Sequence, residues 1–245
     1  MIDIHCHILP GLDDGAFHDA EALQMAAQAS AAMTRCMACT PHDPPKGVYP
    51  LRRLLEVFHH LCSLLRSEGI PLRLFLGQEI LLSRDYLKVI DELKRGYLLT
   101  INRSIYPLVE FPPTEGVASM CKKLDALCAE GFSPIVAHPE RYRHIQDSPE
   151  EVRRLKKHGA FLQLNKGSLE GTFGEAAEAT ALYILDARLA DVFASDAHSP
   201  YVRTTPLRDV HEWLGERYST DYANLLLRQN PKSILKNAPL DRSDK

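Results

Sequence analysis

Two rhythms of apolar and polar positions alternate along this chain. Seven short apolar runs each close on polar residues: MIDIHCH, TRCMACTPH, LRLFLGQE, YPLVE, SPIVAHPE, AFLQLNKGS and DVFASDAH. Apolar runs of about four to eight residues bounded by turn signals read as buried strands. Longer segments with helical spacing separate them. DAEALQMAAQASAAM offers Asp19 as an N-cap. PLRRLLEVFHHLCSLLRSEG opens on Pro50 and stops on Gly69, and GVASMCKKLDALCAEG stops on Gly131, the positions that favour proline and glycine. SPEEVRRLKKHG places Ser148 three residues before Glu151 and ends on Gly159, which reads as a capping box with a C-terminal glycine.

Strands alternating with helices imply βαβ units, right-handed crossovers and a parallel sheet. The expected fold class is α/β. Seven such units close most naturally as a barrel or distorted barrel, with a doubly wound open sheet as the alternative. No repeat, linker or low-complexity stretch interrupts the pattern, so residues 1–245 read as one domain with a frayed tail over about 236–245. PHDPPKGVYP, with four prolines in ten residues, is the most loop-like segment.

Charge narrows the function. A net charge of -3 gives no overall field for nucleic acid or an anionic membrane. No run reaches the roughly 18 apolar residues of a membrane span, and the polar start is unlike a signal peptide. A cytoplasmic location without membrane insertion is expected. Of six cysteines, Cys36 and Cys39 form a lone C-x2-C. With no second pair nearby, the group reads as buried thiols ahead of a zinc site.

The chemistry lies where the apolar runs end. The first run supplies His5 and His7, followed at once by Asp13 and Asp14. The next runs supply His42, Glu79, Glu110 and His138 in turn, and the last supplies Asp196 and His198. Only the sixth, ending in Asn165 and Lys166, offers no obvious ligand. In parallel α/β barrels the active site sits at the C-terminal ends of the strands, so these side chains would converge. Period two puts His5 and His7 on one face, and likewise Asp196 and His198, while Cys6 and Ala197 turn into packing.

One strand histidine alone is usually a plain core residue; recurrence after six runs argues for a metal centre. So many N and O donors exceed the usual four of one zinc. They fit two or three divalent ions with bridging carboxylates, manganese, iron or zinc ahead of calcium or magnesium. Ions held roughly 3.5–4 Å apart generate a nucleophile from water at neutral pH, which points to hydrolysis of phosphate esters. His18, His59, His60, His144, His158 and His211 lie in helical or loop segments and read as surface or packing residues.

As a set, D-I-H-C-H, T-P-H, G-Q-E, V-E-F, A-H-P-E-R and A-S-D-A-H resemble the polymerase-and-histidinol-phosphatase (PHP) superfamily. Within it, MIDIHCHILPGLDDGA, TPH, GQEI, EFP, IVAHPERY and FASDAH together resemble the manganese-dependent protein-tyrosine phosphatases of bacterial capsule and exopolysaccharide operons. The likeness runs from residue 1 to about 235 with the motifs in order. It implies a distorted (β/α)7 barrel and a three-metal centre held by His5, His7, Asp14, His42, Glu79, Glu110, His138, Asp196 and His198. It favours Asp14 over Asp13, which would orient a ligand. It also implies that Arg141 and Arg203 grip phosphate, with Arg143 and Lys166 as weaker candidates for the rim. Asp43 departs from the family, which often has a histidine or basic residue there.

The activity so implied is hydrolysis of phosphotyrosine. The implied partner is the tyrosine-rich C-terminal tail of a kinase that governs polysaccharide chain length. No cysteine is followed by the Cys-x5-Arg spacing of thiolate phosphatases. Two other readings stand beside it: a phosphatase of histidinol phosphate or another small monoester, and a non-catalytic module. The intact ligand set argues against the latter.

Overall fold

Every strand pair in the computed structural model is parallel, among the described residues 1–43, 49–83 and 85–240. Strands β1 (Ile2–Cys6), β2 (Cys36–Cys39) and β3 (Arg73–Leu76) form one sheet in the order β1-β2-β3. Strands β4 (Glu79–Leu81), β5 (Leu108–Glu110), β6 (Ile135–Ala137), β7 (Phe161–Asn165) and β8 (Val192–Ala194) form a second in chain order. The α/β class and parallel pairing agree with the apolar pattern. The expected single barrel ladder does not appear, because the run LRLFLGQE breaks into two strands in different sheets.

The break is at Gly77 and Gln78. The Gly77 N–H still donates to Cys39 O of β2 at 2.9 Å, but the Gln78 N–H turns to Leu99 O at 3.1 Å. A Cβ on Gly77 would stand 3.1 Å from Ile101 Cα, so a side chain there would press on neighbouring backbone. Glu79 thereby opens β4. Among the described residues, two isolated β-bridges link the backbones of the two sheets, His42 with Glu79 and Cys6 with Ala197. Both seams lie among the predicted ligands.

Helices α1 (Asp19–Ala31) and α2 (Leu51–Ser67) cover the first sheet; Met25, Ala29, Leu61 and Leu65 join Met37 and Leu74 in its apolar layer. Helices α3 (Tyr86–Lys94), α4 (Val117–Ala129), α5 (Arg143–Asp147), α6 (Val152–Lys157), α7 (Lys166–Leu169) and α8 (Glu175–Asp186) connect the second sheet. Leu124, Leu155, Ile184, Val136, Leu162 and Leu164 are among its buried apolar residues, each worth about 2 kcal/mol when fully buried. A third cluster takes Ile4, Ala38, Leu108, Ile135, Phe161 and Val192 from six strands, with Tyr106 and Ile234.

Glycines at φ 64° (Gly69) and φ 85° (Gly131) stop α2 and α4 as expected. Two caps differ from expectation. His18, not Asp19, caps α1, its Nδ1 accepting from the Glu21 N–H; Asp19 pairs with His60 at 2.8 Å. Ser148 makes no side-chain cap, because a 3-10 turn (Pro149–Glu151) intervenes and Glu151 accepts from Arg154 at 2.6 Å.

Helix α9 (Arg208–Arg217), α10 (Thr220–Asn224), a π turn (Leu225–Gln229) and α11 (Asn230–Leu235) complete the chain and reach the N-terminal ends of the strands. There Asn230 donates to Asp191 O at 2.8 Å, and the Tyr106 hydroxyl donates to Ala238 O at 2.8 Å. Of the expected fray, residues 236–240 are tied down, Asn237 also accepting from the Ile105 N–H. Residues 241–245, and 44–48 of the proline-rich loop, lie outside the described residues.

Candidate metal centre

The C-terminal ends of β1, β2, β5 and β6, with Glu79 at the start of β4 and the residues after β8, bring all nine predicted donors together. His5 Nε2 lies 3.1 Å from His7 Nε2, 3.1 Å from Glu79 Oε2 and 3.3 Å from Asp196 Oδ1. His7 Nε2 lies 3.2 Å from the same Glu79 oxygen and 3.4 Å from the same Asp196 oxygen. His42 Nδ1 stands 3.2 Å from Glu79 Oε2 and 3.3 Å from Glu110 Oε1. His138 Nε2 reaches Glu79 Oε1 at 2.8 Å. At the mouth, Asp14 Oδ1 is 3.4 Å from His198 Nε2 and 3.6 Å from His42 Nε2.

Three groups follow, the donor atoms in each within 4.8 Å of one another: His7, Asp14, His42, His198; His5, His7, Glu79, Asp196; and His42, Glu79, Glu110. His7, His42 and Glu79 each belong to two; of these only Glu79, a carboxylate with two oxygens, is of the kind that bridges adjacent ions, since an imidazole nitrogen has a single lone pair to give. Among the described residues, no cysteine joins a group. Cys39 is buried, Cys36 is half-buried, and both are free thiols.

A second layer aims the donors. Asp13 lies 2.7 Å from His7 Nδ1 and accepts from the His42 N–H (2.9 Å) and the Gly15 N–H (3.0 Å). The turn needs glycine at 15, since a Cβ there would sit 1.9 Å from His7 O. His5 Nδ1 lies 2.8 Å from Gln163 Oε1, and His198 Nδ1 lies 3.0 Å from Asp196 O. A proton on each Nδ1 leaves each Nε2 lone pair facing inward.

The sixth run therefore matters, although it offers no ligand. Gln163 donates to Asn165 Oδ1 at 2.6 Å, and Asn165 donates to Asp196 Oδ2 at 2.5 Å. The one sequence signal for this pair is two polar residues two apart in FLQLN, on a strand that is otherwise buried apolar. Asp3, absent from the predicted set, also supports the site. It accepts from Ser195 Oγ at 2.6 Å and from the Ser195 and His5 N–H groups. It thus pins β1 to the end of β8, and burial raises its carboxyl to about 6.

Both predicted arginines converge on Asp196. Arg141 Nη1 donates to Asp196 Oδ2 at 3.1 Å and Arg203 Nη2 to the same oxygen at 2.6 Å. His138, Asp196 and Arg203 hold φ of 38°, 49° and 53°, a region uncommon for non-glycine residues and enriched at functional sites. At His138 this turns the chain out of β6 into the 3-10 turn Pro139–Arg141, which delivers Arg141. Lys166 is buried and donates to Thr204 Oγ1 at 3.0 Å. Arg143 is exposed.

Burial pushes the carboxyls of Glu79 and Asp196 upward, yet the imidazoles around them outweigh it and hold both well below the usual range. His7 is pulled down by burial but carried well above its ordinary value by the Asp13, Asp196 and Glu79 carboxylates. His42, likewise opposed by burial, rises to about 9 through Glu110 and Glu79. His198 is lowered by burial.

The donor set fits divalent cations. Among the described residues, the buried Asp196 Oδ1 and His138 Nδ1 have no hydrogen-bond partner, an outcome that costs energy unless another group satisfies them. Imidazole and carboxylate donors without thiolate suit manganese, iron or zinc.

Comparison with known proteins agrees with this geometry. Residues 1–236 match the family described as capsular polysaccharide synthesis, CpsB/CapC. The tyrosine-protein phosphatase YwqE of Bacillus subtilis is 36% identical over 245 residues, covering 99% of this chain and 94% of that protein. The tyrosine-protein phosphatase CpsB of Streptococcus pneumoniae is 28% identical over 96% of this chain and 98% of its own length. A solved structure from work on YwqE and CpsB, described as unique metal-dependent tyrosine phosphatases, superposes with a TM-score of 0.91 at 34% identity. It covers 100% of this chain and 98% of the other. The chain belongs to the CpsB/CapC family of capsular polysaccharide synthesis.

Proposed function

We infer that this chain is a metal-dependent protein-tyrosine phosphatase, a phosphoric monoester hydrolase. One observation carries the reading: three overlapping donor groups adjoin two arginines through a single carboxylate, Asp196. The nine donors His5, His7, Asp14, His42, Glu79, Glu110, His138, Asp196 and His198 would hold two or three divalent ions, manganese first and iron or zinc as alternatives. Asp13, Gln163 and Asn165 orient them. The shared interior cluster and the two seam bridges support a distorted (β/α)7 barrel, folded as one domain.

When bound, such ions activate water at neutral pH and offset phosphoryl charge. The chain's own residues do the rest. Arg141 and Arg203 bind two phosphate oxygens and hold the ester for in-line displacement. Asp196 keeps the two guanidiniums together before substrate arrives, because its Oδ2 accepts from both while its Oδ1 faces His5 and His7. Asn165 fixes that carboxylate. A tyrosine phenolate, with a pKa of about 10, leaves without a strong general acid.

The substrate is a phosphotyrosine protein, and the family points to the tyrosine-rich C-terminal tail of a polysaccharide-regulating kinase, met in the cytoplasm. No helix among the described residues is long and apolar enough to cross a membrane. The test is turnover of a phosphotyrosine peptide, a phosphoserine peptide and histidinol phosphate, side by side, with manganese and with EDTA. Chelator-sensitive release selective for phosphotyrosine is expected. Equal or better turnover of histidinol phosphate would overturn the substrate assignment and leave a small-monoester phosphatase.

A further inference from the structure

A half-buried aromatic ring touches both predicted phosphate-binding arginines. The Arg141 guanidinium carbon lies 4.3 Å from the Phe173 ring centroid, and that of Arg203 lies 5.3 Å from it. Both distances fall within the roughly 6 Å range of cation–π attraction. The arginines come from different elements, Arg141 after β6 and Arg203 after β8. Phe173 comes from a third, the loop between α7 and α8.

That loop is built to hold the ring still. Gly171 and Gly174, with φ of 71° and 86°, bracket Thr172 and Phe173. The Thr172 N–H donates to Gly167 O at 2.9 Å and the Gly174 N–H to Gly171 O at 3.1 Å. The ring rests on Gly167, where a Cβ would stand 2.9 Å from Phe173 Cε2. A side chain at 167 would displace the ring. Lys166, next to it, ties α7 to Thr204, beside Arg203.

Two like charges gathered on one carboxylate oxygen repel each other, and each is a long, rotatable side chain. A flat negative π face beside both lowers the repulsion and removes rotamer freedom before the substrate binds. We propose that Phe173, seated on Gly167, is a positioning residue that pre-forms the Arg141–Arg203 clamp for the phosphoryl group of the substrate. The proposal rests on the reading of those arginines as phosphate-binding groups.

The test uses the metal-loaded enzyme and inorganic phosphate as a competitive inhibitor, alongside KM and kcat for a phosphotyrosine peptide. Phe173→Ala and Phe173→Leu are expected to weaken phosphate inhibition and raise KM about 5- to 20-fold, with kcat and metal content changed less than about twofold. Phe173→Tyr, which keeps the π face, is expected to match the parent. In an Arg141→Ala/Arg203→Ala background, Phe173→Leu should have no further effect, since the groups it acts through are gone. Leucine keeps the bulk, so parent-like phosphate inhibition in a folded Phe173→Leu enzyme overturns the proposal, and so does an equal further loss in the arginine-free background. If instead the arginine variants themselves leave phosphate inhibition intact, the phosphate-binding reading of the site fails first.

Discussion

Strand β8 carries an aspartate at each end, and the two are opposites. Asp191, just before the strand, meets a closed set of partners. Lys156 Nζ donates to both of its oxygens at 2.9 Å and to Leu189 O at 3.0 Å, and the Leu162 N–H donates to Asp191 Oδ2. Asp196, just beyond the strand, is equally buried but unbalanced. Its Oδ2 accepts from Arg141, Arg203 and Asn165, while its Oδ1 has no hydrogen-bond partner among the described residues. A buried charge that is fully paired contributes to structure. A buried charge left with an orphan atom, ringed by imidazoles and other carboxylates, is arranged for something that arrives later. Four residues separate the two, and the direction of the strand separates their roles: N-terminal end sealed, C-terminal end open.

Conservative amides at the two positions should give opposite signatures. Asp196→Asn removes a charged donor without changing shape, and kcat/KM is expected to fall on the order of a thousandfold or more, about 4 kcal/mol on the transition state. Steady-state kinetics with metal analysis of the purified protein checks this. The same change at Asp191 leaves the Lys156 ammonium buried without its counter-charge, which costs about 3–5 kcal/mol of stability. Urea unfolding measures that loss, and kcat/KM per folded molecule should stay within about twofold of the parent. A large activity loss at Asp191, or a large stability loss at Asp196 with full metal content, would collapse the distinction.

Smaller effects sharpen it. Asp13→Ala frees His7 Nδ1 and the His42 N–H, and metal affinity is expected to drop about 10- to 100-fold, read by competition with a chelating dye. At the weak end, Arg52→Ala removes an exposed pair with Glu56 and should shift stability by no more than about 0.5 kcal/mol, with activity unchanged. An ion pair matters here by what surrounds it.

Much of the site is legible in the chain itself. His5, His7, His42, Glu79, Glu110, His138, Asp196 and His198 each follow a short apolar run, and a shared end of parallel strands collects whatever stands there. Spacing does not separate Asp13 from Asp14, because adjacent residues in a turn differ only in where the turn points them. Gln163 and Asn165 escape a search for ligands because amides are poor ones; they hydrogen-bond His5 and Asp196, one on β1 and the other just beyond β8, far apart in the chain. Phe173 carries no signal at all. An aromatic residue in GTFG is ordinary until Arg141 and Arg203 close over it from other elements.

Local patterning by itself determined that the chain alternates strands and helices, that the strands run parallel, and that imidazole and carboxylate donors cluster at their C-terminal ends. Those are properties of residues a few positions apart, set by side-chain periodicity and backbone propensity. The tertiary structure alone decided the split of LRLFLGQE at Gly77, the bridges His42–Glu79 and Cys6–Ala197 between the two sheets, the sharing of Glu79 between donor groups and of Asp196 between donors and arginines, and the placing of the Phe173 ring beside Arg141 and Arg203. Each of these depends on which distant backbones and side chains come within a few ångströms of each other, and a contact between residues far apart in the chain leaves no period in it to read.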